Sequence, residues 1–471
     1  MNEQLQHDLI NFENLLEIAK LQGLDFLGQL SDRATSTKPK VQVNTTLNEI
    51  GVGGLDTLKF FNEKFENLIV GSSGPRYLGY VTGGSTPASI VGDWLTSIYD
   101  QNPQGTKGQG DISAIIEIET INLLLDLFNL PDDFFGGFVT GATMSNFTCL
   151  AVARQWIGKQ LNKDFAKDGV SGKINILSAL PHSSAIKSLS MLGIGSNNFE
   201  KVKVTQGNRE SIDIEDLETK IKELNGQPFI LITSGGTVNT VDFDDLQAIS
   251  KLKKKHNFWW HIDGAFGAFA VCSPKYKHLM EGWENADSIT IDCHKWLNVP
   301  YESAVFLVKE QYKILQIETF QNSNAPYLGD PLDNFSYLNF LPENSRRLKA
   351  LPVWFSLIAY GKKGYRDIVE NSIEMANHLG QFIEKSTSFE LLAPVRLNNV
   401  CFTLRGEENK DRVSNFLIKL NDTGKVFMTP TIYNGKQGIR ASFVNWRTNM
   451  QDIGIVINEM EKLIKSQLAQ V

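Results

Sequence analysis

Apolar residues near the start of the chain recur every three to four positions. Leu9-Ile10, Phe12, Leu15-Leu16 and Ile18-Ala19 fall on one helical face, and Leu58, Phe60-Phe61, Phe65 and Leu68 repeat the pattern. Between them the polar stretch Ser31–Lys40 reads as an exposed connection. Two helices on a long connection cannot enclose a core, so residues 1–74 read as a helical arm that packs on something else, a partner subunit being the natural candidate.

From about residue 75 the pattern changes. Apolar, β-branched runs alternate with amphipathic helical stretches. Ile174–Leu177 precedes a helix over Ser184–Leu192, Val202–Val204 precedes Ile214–Leu224, and Phe229–Thr233 precedes Leu246–His256. Trp259–Ile262, Ser288–Ile291 and Ala304–Val308 follow as further strands. This alternation predicts the α/β class, a large mostly parallel sheet covered by helices on both faces. Ligands of such sheets bind at the carboxyl ends of the strands. Between Glu310 and Arg346 the regular pattern lapses, with a long loop over Gln321–Pro331 of the kind that often serves as a lid. A helical region from Leu348 leads into a smaller α/β unit. Its order is helix Ile373–Glu384, strand Val400–Leu404, helix Val413–Leu420, strands Val426–Thr431 and Gly438–Val444, and helix Met450–Leu468. The predicted division is an arm over 1–74, a large domain over 75–347, and a connecting helix with a small domain over 348–471.

Composition narrows the function. The chain has 471 residues, 42% hydrophobic and 21% charged, with a formal net charge of −7, so it carries no overall basic surface for nucleic acid. The one dense basic run, Lys251–Lys255, lies inside an expected helix and reads as its solvated face. The four cysteines, Cys149, Cys272, Cys293 and Cys401, are scattered without metal-ligand spacing, so no metal site is expected and they read as core residues in a reducing compartment. No signal peptide or membrane span is legible, and the expected location is cytoplasmic.

The candidate chemistry gathers at strand ends. The run Ser288–Ile291 gives way to Asp292-Cys293-His294-Lys295-Trp296, and a lysine just beyond a buried strand can lose its proton and act as a nucleophile. Upstream, Gly136–Asn146 leads into an apolar helix, where small residues and a helix N-terminus can cradle a phosphate. It carries neither the dinucleotide GxGxxG pattern nor a Walker lysine. Asp263, in His261-Ile262-Asp263-Gly264-Ala265, needs a cationic partner if buried, and a protonated ring nitrogen would serve. His182 follows another strand end and can stack on a flat ligand. An amine, an acid for a ring nitrogen, a stacking ring and an anion cradle together meet the needs of pyridoxal 5′-phosphate.

These motifs resemble those of the pyridoxal-dependent group II amino acid decarboxylases, which include the aromatic-L-amino-acid, glutamate and cysteine-sulfinate decarboxylases. Asp292–Trp296 followed by Val299-Pro300-Tyr301 carries the resemblance, with Tyr80–Ala88, Thr140–Asn146, His182, Gly235-Gly236-Thr237, His261–Ala265 and Arg346-Arg347 in the same order. It runs from about Gly74 to Thr448. The resemblance implies the aspartate-aminotransferase-type fold (fold type I), a homodimer with active sites between subunits, and decarboxylation of an L-amino acid to the amine and CO2. It implies that Lys295 is the Schiff-base lysine, that Asp263 partners the pyridine nitrogen and that His182 stacks on the ring. Ala142 and Thr143 would hold the phosphate, Thr237 would lie near the cofactor, Ala265 under the ring and His294 beside the substrate. Tyr80 and Val81 would line the substrate pocket, and Gln101-Asn102 would reach the neighbouring subunit's pocket. A loop tyrosine would protonate Cα; counting back from Arg346-Arg347 gives Tyr337, with Tyr327 second. Two departures stand out. Cys293 replaces the proline common before the His-Lys pair, and Gly110-Asp111-Ile112-Ser113 replaces a Ser-Pro that precedes a Glu-rich helix. The pocket candidates Tyr77, Leu78, Tyr80 and Val81 are mostly apolar, which favours an aromatic substrate, whereas Arg76 would be the cation for an acidic one. Aldehyde synthesis on the same residues is the main alternative, with an aminotransferase behind it.

Overall fold

The computed structural model describes residues 2–106, 112–321, 335–406 and 410–468. The chain opens with α1 (Glu3–Ile10), α2 (Phe12–Gly28) and α3 (Gly54–Lys64), none of which buries a residue completely. Next come α4 (Pro87–Tyr99) and α5 (Ser113–Leu127). Thr86 caps α4 and Pro87 fills its first turn, where a missing N–H costs nothing.

Seven strands form the large sheet: β1 (Phe134–Val139), β2 (Asn175–Ser178), β3 (Glu200–Lys201), β4 (Phe229–Ser234), β5 (Trp259–Asp263), β6 (Ser288–Ile291) and β7 (Ala304–Lys309). Their order is β1-β7-β6-β5-β4-β2-β3. β7 runs against both its neighbours, and the other pairs are parallel. Between and after them lie α6 (Ala142–Gln160), α7 (Ser183–Met191), α8 (Ile214–Glu223), α9 (Leu246–Lys253) and α10 (Lys313–Phe320). Side chains alternate between two cores. Leu231, Trp260 and Ile262 join the core on one face, and Ile230, Ile232 and Trp259 join the other. Burial on both faces is why these strands read as unbroken apolar runs rather than alternating ones.

A long helix, α11 (Ala350–Lys385), broken at Gly361, leads to the small sheet. Its strands are β8 (Phe389–Leu391), β9 (Asn399–Leu404), β10 (Thr429–Tyr433) and β11 (Lys436–Ser442), all antiparallel in the order β10-β11-β9-β8. The helices α12 (Lys410–Asp422) and α13 (Met450–Leu468) pack there, with Phe416 and Met460 in its core.

A strap over residues 74–86 joins the two sheets. The Phe427 N–H donates to Arg76 O and the Leu78 N–H to Phe427 O, and the Ser442 N–H donates to Leu78 O. Leu78 is buried in the small-sheet core and Val81 in a large-sheet core. Farther on, the Gly83 N–H donates to His294 O and the Thr86 N–H to Asn298 O.

Two expected strands are misplaced. Val202–Val204 yields only the short β3 at Glu200–Lys201 and a single bridge from Val204 to Ile212. Val426–Thr431 is displaced to β10, because residues near Phe427 spend their hydrogen bonds on the strap. β1, not anticipated as a strand, forms the sheet edge beside β7. The four cysteines are buried and free, and no helix among the described residues is long and apolar enough to cross a membrane.

Candidate active site

The carboxyl ends of β2, β4, β5 and β6 converge on a cavity of about 410 Å3 lined by His182, Thr237, Asp263, Ala265, Phe266 and Lys295, among others. Five of the residues singled out from sequence therefore meet in one place, although 113 positions separate His182 from Lys295 along the chain.

Lys295 follows the turn after β6. Its Nζ lies 3.7 Å from Asp292 Oδ2 and 5.6 Å from the centre of the Phe266 ring. Asp263 ends β5, where Oδ2 accepts from Asn146 Nδ2 at 3.0 Å and Oδ1 from the Ala265 N–H at 3.2 Å. No ion pair to Asp263 is found among the described residues, so a buried carboxylate faces the cavity with donors but no counter-charge. Such a group calls for a cation, and a protonated ring nitrogen satisfies it. His182 caps α7, its Nδ1 accepting from the Ser184 N–H at 3.2 Å. Burial, more than any charge, holds its imidazole below the usual histidine pKa, while Asp263 pulls the other way. Ala265 links the strand ends by accepting from the Asp292 N–H at 2.9 Å. Thr237 lines the cavity, but its hydroxyl is committed to Glu210 Oε2.

Ala142 and Thr143 open α6 and do not line this cavity; Asn146, one turn on, touches Asp263 and so sets the helix start beside it. The first amides of a helix have no partner within it, which suits them to an anion. An amine, a carboxylate without a counter-charge, an imidazole and a helix start thus fit the phosphorylated aldehyde expected from the sequence.

Other expected residues fall elsewhere. His294 is not among the residues lining the cavity; its Nδ1 lies 2.9 Å from Asp292 Oδ1 and its ring 4.3 Å from that of Tyr301. Val81 is buried in a core, and Tyr80 is exposed beside Phe427. Gln101 donates to Tyr99 O, while Asn102 Oδ1 accepts from the Arg346 N–H, so neither reaches this chain's cavity. Tyr337, expected as the proton donor, does not line this chain's cavity. It is 1% exposed, its hydroxyl donates to Gly136 O at 3.3 Å, and the Arg346 guanidinium covers its ring at 4.7 Å. A count along the sequence finds the tyrosine but not the direction of its side chain, which packs into the core beside β1 and β7. Tyr327, Gly110 and Asp111 lie outside the described residues.

Arg76 is no cation for a substrate. Its NH1 pairs with Asp452 Oδ1 at 2.8 Å and its Nε donates to Lys425 O. Where relatives carry proline, the Cys293 N–H donates to Ser303 O at 3.0 Å, a bond proline cannot make.

Sequence reasoning missed Arg440 on β11. It does not line the cavity, but it is 9% exposed, donates through NH1 to Val238 O at 3.0 Å, has no partner for Nε among the described residues, and helps to lower the His182 pKa. Only the fold brings it to a site whose other members lie more than 140 positions upstream.

Comparison with known proteins identifies the family and the fold. The signature described as "Pyridoxal-dependent decarboxylase conserved domain" matches residues 61–405. An aromatic-L-amino-acid decarboxylase of Bacillus atrophaeus is 28% identical over 436 residues, covering 90% of this chain and 88% of that protein. A phenylacetaldehyde synthase of Petunia hybrida is 28% identical over 392 residues, covering 78% and 76%. Tryptophan decarboxylase of Catharanthus roseus, solved in complex with L-tryptophan, superposes with a TM-score of 0.87 at 19% identity, over 97% of this chain and 98% of that one.

Proposed function

Because the chain belongs to the pyridoxal-dependent decarboxylases, a carboxy-lyase family that acts on amino acids with pyridoxal 5′-phosphate, we propose that its substrate is an aromatic L-amino acid and that Lys295 is the amine anchoring the cofactor. What supports the substrate class is a set of rings on the strap and the lysine loop, outside the lining of this chain's cavity. Tyr77 stacks on Phe427 at 4.6 Å, Tyr80 lies 5.9 Å from Phe427, and Tyr301 rests on His294. The arginine of that segment, Arg76, is tied to Asp452 and unavailable to an acidic side chain. The aromatic decarboxylase and the aldehyde synthase among the relatives support the same class.

When bound, the cofactor supplies an electron-withdrawing ring that accepts the electron pair left as the substrate carboxylate departs as CO2. Asp263 would sit against the ring nitrogen and favour its protonated form. His182 would flank the ring. The first amides of α6, at Ala142 and Thr143, would hold the phosphate. Ala265 would leave room for the ring where a larger side chain would not. Arg440, whose Nε has no partner among the described residues, would meet the substrate carboxylate.

The same reading makes the protein a homodimer. Ile10 is 83% exposed and Trp94 45%, and an apolar groove of about 780 Å3 runs between α2, α3 and α4. A second copy covering this surface accounts for apolar exposure well beyond that of an ordinary monomer.

The test is CO2 release by the purified, cofactor-loaded protein from a panel of L-amino acids, with peroxide and keto acid followed in parallel. Tyrosine, tryptophan or phenylalanine should be turned over without peroxide. Turnover of glutamate or aspartate alone would overturn the substrate class and assign Arg440 to the side chain. Lys295→Ala should give colourless protein that borohydride cannot label with cofactor.

A further inference from the structure

Behind the cavity a line of hydrogen bonds joins residues that play no part in the function proposed above to two that do, Asp263 and His182. Trp259 Nε1 donates to Ser288 Oγ at 2.9 Å, Ser288 Oγ meets His261 Nδ1 at 2.9 Å, and His261 Nε2 meets Asn146 Oδ1 at 2.8 Å. Asn146 Nδ2 then donates to Asp263 Oδ2 and to Ser184 Oγ, each at 3.0 Å. Ser184 Oγ is 2.7 Å from His182 Nδ1. Trp259, Ser288, His261 and Asn146 are fully buried, so every polar atom must find its partner inside this set.

The direction of each bond follows by elimination. The indole N–H only donates, so Ser288 Oγ accepts it and gives its own proton to His261 Nδ1. Asp263 Oδ1 accepts from the Ala265 N–H and its Oδ2 from the amide nitrogen of Asn146; the flipped amide would set a carbonyl oxygen against a carboxyl oxygen. Asn146 Oδ1 must then accept, and His261 Nε2 must carry the ring proton. Burial agrees, holding His261 neutral with a pKa lowered to about 4. On the other branch, Ser184 Oγ accepts from Asn146 and donates to His182 Nδ1, which also accepts the Ser184 N–H. A neutral His182 therefore carries its proton on Nε2.

We propose that Asn146 is a positioning residue, the branch point through which one buried hydrogen-bond chain, polarised by His261, fixes both the orientation of the Asp263 carboxyl group and the Nε2–H tautomer of His182. The inference rests on the assignment of Asp263 to the ring nitrogen of the cofactor and of His182 to its ring face. Asn146 and His261 touch neither substrate nor cofactor. They act by denying the two facing groups their alternative orientations.

The experiment compares His261→Gln with His261→Phe, and adds Asn146→Ala, each checked for folding by circular dichroism. Glutamine can still donate to Asn146 Oδ1; phenylalanine keeps the aromatic bulk and cannot. The readouts are the cofactor dissociation constant and the visible absorption band of the loaded protein. His261→Phe and Asn146→Ala should weaken cofactor binding ~10- to 100-fold and shift the band, as expected for losing a hydrogen bond to a charged group. His261→Gln should stay close to wild type. Equal behaviour of the Gln and Phe variants, or unchanged binding in Asn146→Ala, would reduce these residues to packing and overturn the inference. Independently, 15N spectra of wild-type protein labelled at histidine should show His261 and His182 as Nε2–H tautomers, and Nδ1–H at either site overturns it even if a variant fails to fold. Wild-type protein that binds no cofactor would instead sink the reading of the site itself.

Discussion

Tyr337 shows what a single side chain's direction decides. Among the described residues its hydroxyl donates to Gly136 O, and burial pushes its pKa well above the ordinary tyrosine value, so within this chain it is turned toward β1 and not toward the cavity. Tyr337→Phe should leave the amine-to-aldehyde ratio unchanged and lower stability by ~1 kcal/mol, the worth of one ordinary hydrogen bond, as read from chemical denaturation. Two other buried groups make stability depend on pH in opposite senses. His261 titrates near 4 in the folded chain against about 6.5 when unfolded, so acidification through that window costs stability, roughly 3 kcal/mol in all. Asp244 is the reverse. Burial raises its carboxyl to about 7, so its contribution is full below the unfolded carboxylate pKa and is lost as pH rises toward 7. Relative to wild type, His261→Gln should gain thermal stability as pH falls from 6.5 to 4, and Asp244→Asn should lose it; parallel pH profiles for all three proteins would contradict both assignments. At this scale the sequence was legible wherever chemistry sits at the end of an apolar run, as at Asp263 and Lys295. It was silent on Asn146 and His261 as partners, because their mutual contact spans 115 positions and no local pattern encodes it.

Among the elements, the strap over residues 74–86 governs the lysine loop most directly. A Cβ added at Gly83 would lie 1.9 Å from Lys295 O and 3.0 Å from His294 O, and both obstacles are backbone. Gly83→Ala must therefore push the strap or the lysine turn aside. The expected result is protein that folds with near-normal helix content but binds cofactor at least ~10-fold more weakly, a displacement worth 1.4 kcal/mol or more. Unchanged affinity would mean that the strap yields without disturbing the lysine. The strands of the large sheet could be read in advance because both their faces are buried. The strap could not, since its hydrogen bonds go to Phe427, Ser442, His294 and Asn298, none of them near it in sequence. For the same reason the strand expected over Val426–Thr431 begins later than its composition suggests.

For the whole molecule, the arm raises the question of what surrounds it. α1, α2 and α3 bury none of their residues fully, and Trp94 and Ile98 on α4 are similarly bare. Trp94→Glu should convert a dimer, measured by light scattering after size exclusion, into a monomer, and a dimer that persists would place the interface on another face. The helical periodicity of the arm was plain in the sequence; its lack of a core of its own was inferred from two helices on a long connection, and α1, α2 and α3 bury no residue fully.

The strap has a mechanical consequence. One end is hydrogen-bonded to the smaller sheet and the other to the turn that carries Lys295, so the two cannot shift independently. Any rocking of the smaller sheet is transmitted as tension on the lysine, and a single proteolytic nick within the strap would cut that tether while leaving both sheets intact.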